Sequence, residues 1–440
     1  MNFQKLKALC DKKGITEIEV YNVRSVGASI RTFNLTIDQN IITSSNKILV
    51  RGVYNNHIAS LNVEKDTEDE LEFIVDKLIQ NASVIESEDP YFIYGGSDFY
   101  ETIDEVDVDF DLYTQADKIE LCKKMETYLK ENCEFVTTTQ AFIASEEEIV
   151  TIENSKGLSV RRESKDAVIG CVAVIKKDND VKQGYFMDHV TKLSEIDYDK
   201  LYAKAIKRPL DSIGAKSIPS GSYPVVFENT TACSLLSCFT SMFCGDVVVK
   251  KLSLLEGKIN QKVFGDNITI IDNPLHKDSH ARYTFDDEGV ATKEKVLVDG
   301  GVLKSYLTDL KAAKMLDVNP TGNGFKDSNG GITVSPCNMY LKNDDVTFDD
   351  MIKDIENGLL ITGLMGQHAG VNSVSGAFNL QASGFKIENG KVSSPVTLII
   401  VSGNILDLLN NVKCISNDFE FAGKVGTGSI LVSNLSVSGK

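Results

Sequence analysis

The eight residues Ser217-Ile-Pro-Ser-Gly-Ser-Tyr-Pro224 constrain the fold of this chain more than any other feature. They gather proline, serine and glycine between two stretches of different periodicity, as a linker does. Ahead of them, helix-period and strand-period patterns are mixed. Behind them stands one helical pattern, Ala232 to Phe243, and then short strand patterns broken by Asn, Gly and Asp. Such a division predicts an α+β chain of two domains, an N-terminal α+β domain over 1–216 and a C-terminal, predominantly antiparallel β domain over 217–440. The length of 440 residues suits two or three domains.

In the first part, Phe3, Leu6, Leu9 and Cys10 share one helical face, and Gly14 ends it. Strand patterns follow at Glu17 to Tyr21, Ala28 to Ile37, Lys47 to Tyr54 and Ile58 to Val63. Thr67 and Glu70 have the spacing of a capping box ahead of a helix carrying Leu71, Ile74, Val75, Leu78 and Ile79. The segment Glu86 to Asp111 holds ten carboxylates and no Lys or Arg. A second helix is expected from Thr114 to Asn132, with Ile119, Cys122, Met125 and Leu129 inward, and a third from about Tyr198, carrying Leu201, Ala205 and Leu210.

Composition narrows the function. With 46 Lys and Arg against 63 Asp and Glu, the net charge is -17, which repels phosphate backbones and argues against a nucleic-acid partner. A hydrophobic share of 42% with only eight prolines excludes a disordered or collagen-like chain. The best apolar run, Val396 to Val401, is strand-sized, so no membrane span is expected. The opening MNFQKLKALCDKKG reads as an amphipathic helix and not a signal peptide, and nine cysteines, an odd number, read as reduced core thiols. The expected location is the cytoplasm.

Few chemical motifs survive inspection. Gly384 to Val392 approximates a phosphate loop but has one residue too many and no Ser or Thr for magnesium; Asn389-Gly390 is a hairpin turn instead. Asp107, Asp109 and Asp111 lack the glycine and glutamate of a calcium loop and suit the wet face of a strand whose other face is Val106, Val108 and Phe110. His276 and His280 have the i, i+4 spacing of zinc ligands, yet Lys277 stands where a general base is needed and Asn273-Pro274 predicts a loop, so solvated loop histidines are the favoured reading. Cys233, Cys238 and Cys244 are too widely spaced to converge on a metal and suit packing. No nucleophile elbow is present. Asp286-Asp287-Glu288 before Gly289 offers carboxylates for acid–base work, although a turn held by its own backbone is the commoner meaning.

Longer motifs are more specific. RYTFDDEGVATKEKVLVDGGVLKSYLTDLKAAKML (Arg282 to Leu316), which includes Phe285 to Gly289, resembles the TldD/PmbA family, once labelled modulators of DNA gyrase. SGAFNLQASGFKIENGKVSSPV (Ser375 to Val396), with Gly376, Ser383 and Gly384, and the Ser402-Gly403-Asn404 that follows resemble it too. Leu49-Val-Arg-Gly52 and Asn154-Ser-Lys-Gly157 agree more loosely. The resemblance covers nearly the whole chain.

What the family resemblance implies depends on the branch. TldD-like proteins carry a His-Glu-x-x-x-His zinc motif on the helix opening the second domain and a late Cys ligand; PmbA-like proteins, also called TldE, lack both. Counting back from Gly245-Asp246 and Ser253 puts the motif slot at Leu236, Ser237, Cys238, Phe239, Thr240 and Ser241, where only Cys238 can bind zinc. The late Cys-Gly-Lys resembles Ala422-Gly423-Lys424, so that ligand is Ala422. By resemblance, this is a PmbA/TldE-like chain with no metal or cofactor of its own and no catalytic residue. Its expected partner is a TldD-like subunit that holds the zinc, and the pair is expected to take extended, unfolded peptides. A homodimer of the isolated chain, a stand-alone hydrolase with an unrecognised site and a regulatory binding protein remain as alternatives.

Overall fold

The computed structural model describes every residue except 65–66, 87–91, 104–106 and 328–329. Two helices and three long hairpin strands open the chain: α1 (Phe3–Lys13), β1 (Glu17–Phe33), β2 (Thr36–Tyr54), β3 (His57–Val63) and α2 (Leu71–Ser83). After α3 (Gln115–Glu131) come β4 (Val136–Asn154), β5 (Ser159–Lys177) and β6 (Asp180–Val190). The six strands form one antiparallel sheet in the order β3-β2-β1-β4-β5-β6. The separate strand patterns expected at 17–21 and 28–37 are parts of two continuous strands joined by a turn at Asn34 and Leu35.

Alternation decides what each face of this sheet does. Ile18, Val20 and Ile30 of β1 point to the helices, the first two under α1 and α2 and the last under α3. Glu19 and Tyr21 point to the opposite face, where Tyr21, Leu49, Val150, Ile152 and Leu158 enclose Phe285 of the second half. The sheet is therefore covered on one side by local helices and on the other by distant chain.

Two local expectations need correction. Thr67 makes no cap; a short 3-10 turn over Glu68–Glu70 intervenes and α2 starts from Glu70. The capping box of the first half belongs to α3, where Thr114 and Asp117 bond reciprocally. Residues 107–109 form no strand and Val106 lies outside the described residues. Asp109 instead accepts from the amides of Leu193 (2.6 Å) and Ser194 (3.1 Å), while Phe110 opens a 3-10 turn and is buried. Carboxylates able to satisfy backbone donors outcompete a strand that would leave them in water.

The helix over 198–211 contains a π turn at Ala203–Lys207. Its Ala205 carbonyl presses on β6 at Gly184, where an added Cβ would lie 2.0 Å from that oxygen. Only glycine permits this approach.

Beyond residue 216 the chain builds two main sheets, besides the hairpin of β11 (Gly324–Lys326) and β12 (Ile332–Val334) and the short edge strands β15 (Val371–Asn372) and β18 (Val412–Ile415). Strands β7 (Gly221–Phe227), β14 (Asn357–Met365), β16 (Ala377–Glu388), β17 (Lys391–Asn404) and β21 (Ile430–Ser438) run β14-β7-β21-β17-β16, and β14 pairs back to β16 to close a ring. The second sheet follows the order β10-β9-β8-β13-β20-β19, from β8 (Ile270–Asp272), β9 (Lys295–Asp299), β10 (Val302–Leu303), β13 (Met339–Leu341), β19 (Glu420–Ala422) and β20 (Val425–Thr427). Pairing is mostly antiparallel, with parallel exceptions at β7–β14 and β13–β20. Part of the proline-rich segment, from Gly221 onward, is β7 and not linker. Asn389 and Gly390, both at positive φ, make the hairpin turn between β16 and β17.

Candidate functional site

The slot at 236–241 does not lie on one helix. The helix is Asn229–Ser237, and a separate 3-10 turn follows at Thr240–Phe243. The expected continuous helix from Ala232 to Phe243 breaks because its polar side chains bond backward: Ser237 Oγ and Cys238 Sγ both donate to Ser234 O (2.8 and 3.4 Å), and Thr240 Oγ1 donates to Ser237 O (3.2 Å). Phe239 is 1% exposed and meets Phe378 edge-on at 6.5 Å. Leu236 is buried in the main apolar core, and Ser237 faces out.

The structure does bring this helix beside the strand of Ala422. The Cys233 thiol lies 3.5 Å from the Glu420 carbonyl, and β19 and β20 pack against the helix. The donor set does not fit zinc. Leu236 and Ala422 have no ligand atom, Ser241 offers a neutral hydroxyl, and burial raises the Cys238 thiol above its ordinary value, against the thiolate a metal needs. Among the described residues no group of three or more His, Cys, Asp or Glu side chains converges as a metal site requires. His276 and His280 lie on a loop but point apart. His276 sits among Tyr340, Phe419 and Phe421 with ring centroids 4.9–5.7 Å away, so it is no free surface residue, and burial lowers its pKa. His280 stacks on His189.

Ala422 lines a 400 Å³ cleft at the seam between the two halves of the chain. One wall is the π-containing helix, through Lys200, Lys204 and Arg208; the other includes Phe419, Glu420 and Phe421. Glu420 accepts from Lys200 (3.1 Å) and Lys204 (3.3 Å), and Arg208 pairs with Glu228. Burial alone would raise the Glu420 carboxyl, but the two lysines hold it below its ordinary value.

The carboxylate turn Asp286-Asp287-Glu288 is buried and forms a second seam contact. Asp286 Oδ1 accepts from the amides of Glu288 and Val290 (3.0 Å each), and Oδ2 from Gly324 (2.8 Å). Asp287 bonds Arg162 of β5 at 2.8 Å and the Lys326 amide at 2.9 Å. Arg162 also donates to Phe285 O (2.7 Å) and lies over the Phe285 ring. Glu288 accepts from the Leu310 amide (2.8 Å), and a Cβ on Gly324 would lie 2.7 Å from its Oε2. Nearby, Arg51 bonds the fully buried Glu19 at 2.6 Å. The turn is thus held by more than its own backbone.

Electrostatics differ sharply along the turn. Burial raises Asp286 to about 7 and, with Asp286 beside it, Glu288 to about 8. Asp286 gives both oxygens to amide donors, which favours its anion, so Glu288 is the member that keeps a proton at neutral pH. Burial would raise Asp287 too, but Arg162 and Lys326 hold it below its ordinary value. Burial, with Arg51 alongside, lowers Lys326 to about 8. Sequence patterning gave no signal for Arg162 or Lys326, which lie 125 and 39 residues from Asp287.

The remaining motif residues are packing elements. Gly384 faces the Leu360 carbonyl across β14, Ser383 lies opposite Gly363, and Gly403 lies under Phe378. Asn404 caps the helix after β17, accepting from Leu406 N (2.9 Å) and donating to Ser375 O (2.8 Å) beside Gly376.

Residues 220–439 match the family model described as the PmbA/TldA metallopeptidase C-terminal domain, and residues 109–213 that of the central domain. The chain belongs to the PmbA/TldD family. It is 28% identical over 436 residues to a metalloprotease PmbA homolog of Buchnera aphidicola, covering 96% of this chain and 93% of that one. A metalloprotease TldD homolog of the same organism is 25% identical over 271 residues, 58% of this chain and 56% of the other. Among solved structures, a Thermotoga maritima protein described as a candidate modulator of a DNA gyrase superposes with a TM-score of 0.91 at 28% identity, covering 99% of both chains. TldE from Thermococcus kodakarensis shares the fold, with a TM-score of 0.89 at 23% identity over 99% of this chain and all of that one.

Proposed function

We propose that this chain is a PmbA/TldE-like subunit without metal, which pairs with a TldD-like chain that supplies the zinc, the pair cleaving extended, unfolded peptides. The observation that supports this reading is the donor set at the slot: Leu236 and Ala422 carry no ligand atom and Ser241 only a neutral hydroxyl, at the positions that the resemblance assigns to zinc ligands in the TldD-like branch. A match of 28% identity along 96% of the chain to a PmbA homolog supports the branch. The division into 1–216 and 217–440 belongs to the same reading, supported by sheets whose strands come either from 17–190 or from 221–438. A cytoplasmic site of action suits nine unpaired cysteines, and no helix among the described residues is long and apolar enough to cross a membrane.

Elemental analysis of the dialysed chain should find no stoichiometric zinc. Disordered peptides should stay intact with this chain alone and be cut when a TldD-like chain from the same genome is added. Cleavage by the isolated chain, unaffected by a chelator, would sink the proposal.

A further inference from the structure

We propose that the stacked imidazoles of His189 and His280 form a proton-operated gate in the seam between the two halves. His189 is the penultimate residue of β6 and His280 comes from the loop after β8, with ring centroids 4.0 Å apart and planes 14° from parallel. A cleft of 210 Å³ and the 400 Å³ cleft that contains Ala422 both meet at the pair. Both clefts are lined by His189, Asp278 and His280, so the stacked pair stands on the border the two clefts share.

The surroundings make the pair sensitive to a second proton. Asp166 of β5 lies 3.1 Å from His189 Nδ1, and a carboxylate only accepts, so Nδ1 carries hydrogen and Nε2 is the ring atom left to accept. Protons on both rings set two cations face to face. The other charged groups around the pair are engaged elsewhere or offset one another. On β5, Glu163 pairs with Arg161, and Lys165 with Asp111 and Glu147. On β6 and the π-containing helix, Asp188 pairs with Lys200, which shares Glu420 of β19 with Lys204, while Arg208 pairs with Glu228. On the loop itself, Lys277 and Arg282 stand against Asp278. Burial of the stacked face and the neighbouring His189 both lower the His280 pKa, the direction expected of a contact that resists a second charge.

The loop backbone is fixed, since Asn338 bonds Ser279 Oγ (2.6 Å) and Ala281 O (2.8 Å). Relief therefore comes from rotation of the His280 side chain off its partner, which joins the two clefts into one passage running past Ala422. The inference rests on the seam alone and stands whether or not a zinc-bearing partner exists.

The test is a pH titration of the full chain with labelled histidine rings, of which there are five. At pH 7.5 the His280 ring protons should be shifted upfield by the ring current of His189. As pH falls, that shift should vanish together with protonation of His280, at a midpoint below the ordinary value of about 6.5. In His189→Phe, which keeps a ring without a charge, the His280 midpoint should rise by roughly half a unit to one unit and the upfield shift should persist through it. Should that variant not fold, His189→Asn should also raise the midpoint, with the upfield shift absent throughout. A wild-type upfield shift that survives protonation of both rings overturns the gate, as does a His280 midpoint unmoved by either substitution.

Discussion

Arg162→Met tests whether the Asp287 contact ties the two halves together. The guanidinium and the carboxylate are 11% and 8% exposed and 2.8 Å apart, so the substitution takes from a buried anion its principal cation and leaves it Lys326. Removing one partner of such a pair costs about 3–5 kcal/mol. Asp287 can escape by taking up a proton, and at about 1.4 kcal/mol per pH unit from an ordinary value near 3.9 this limits the penalty to about 4 kcal/mol at pH 7 and about 1.5 kcal/mol at pH 5. The lost hydrogen bond to Phe285 O adds about 1 kcal/mol at either pH. The sign follows from linkage: a carboxyl held low in the folded state contributes stability above its unfolded pKa and loses it as pH falls through the folded one. Urea unfolding followed by tyrosine emission suits a chain with 14 Tyr and no Trp. The variant should lose about 5 kcal/mol at pH 7 and about half that at pH 5. A loss under about 1 kcal/mol at pH 7, or one independent of pH, refutes the buried-pair argument.

Three further outcomes are expected. Because Glu288 holds its proton to about pH 8 when folded, the folded chain binds more protons than the unfolded one from the ordinary carboxylate range upward, so stability should decline as pH rises toward 8; Glu288→Gln should flatten that decline in urea midpoints. Gly184→Ala would drive a methyl into the Ala205 carbonyl and should destabilise by about 1–3 kcal/mol, with amide exchange accelerated in 198–211. Duplex DNA at physiological salt should give no gel shift at low micromolar protein, because a chain with net charge -17 gains nothing from counterion release.

Periodicity and turn chemistry alone determined much of this protein. The α1, α2 and α3 segments, the Asn389-Gly390 hairpin and the change of character near residue 217 are local, and local patterns carry them. The side-chain chemistry at 236–241, where only Cys238 is a metal-binding type, was equally readable, because it needs no coordinates. Tertiary structure decided whatever depended on partners far away in sequence. Asp109 looked like part of a strand until Leu193 and Ser194 came to its carboxylate from more than eighty residues on. Asp286 to Glu288 looked like a turn held by its own backbone until the back face of the first sheet brought Arg162 over it and buried it. His189 and His280 carry no motif between them, and only the seam sets their rings together. Short-range order follows from each residue's own preferences, whereas burial, and the charge states it imposes, belongs to the assembled surfaces.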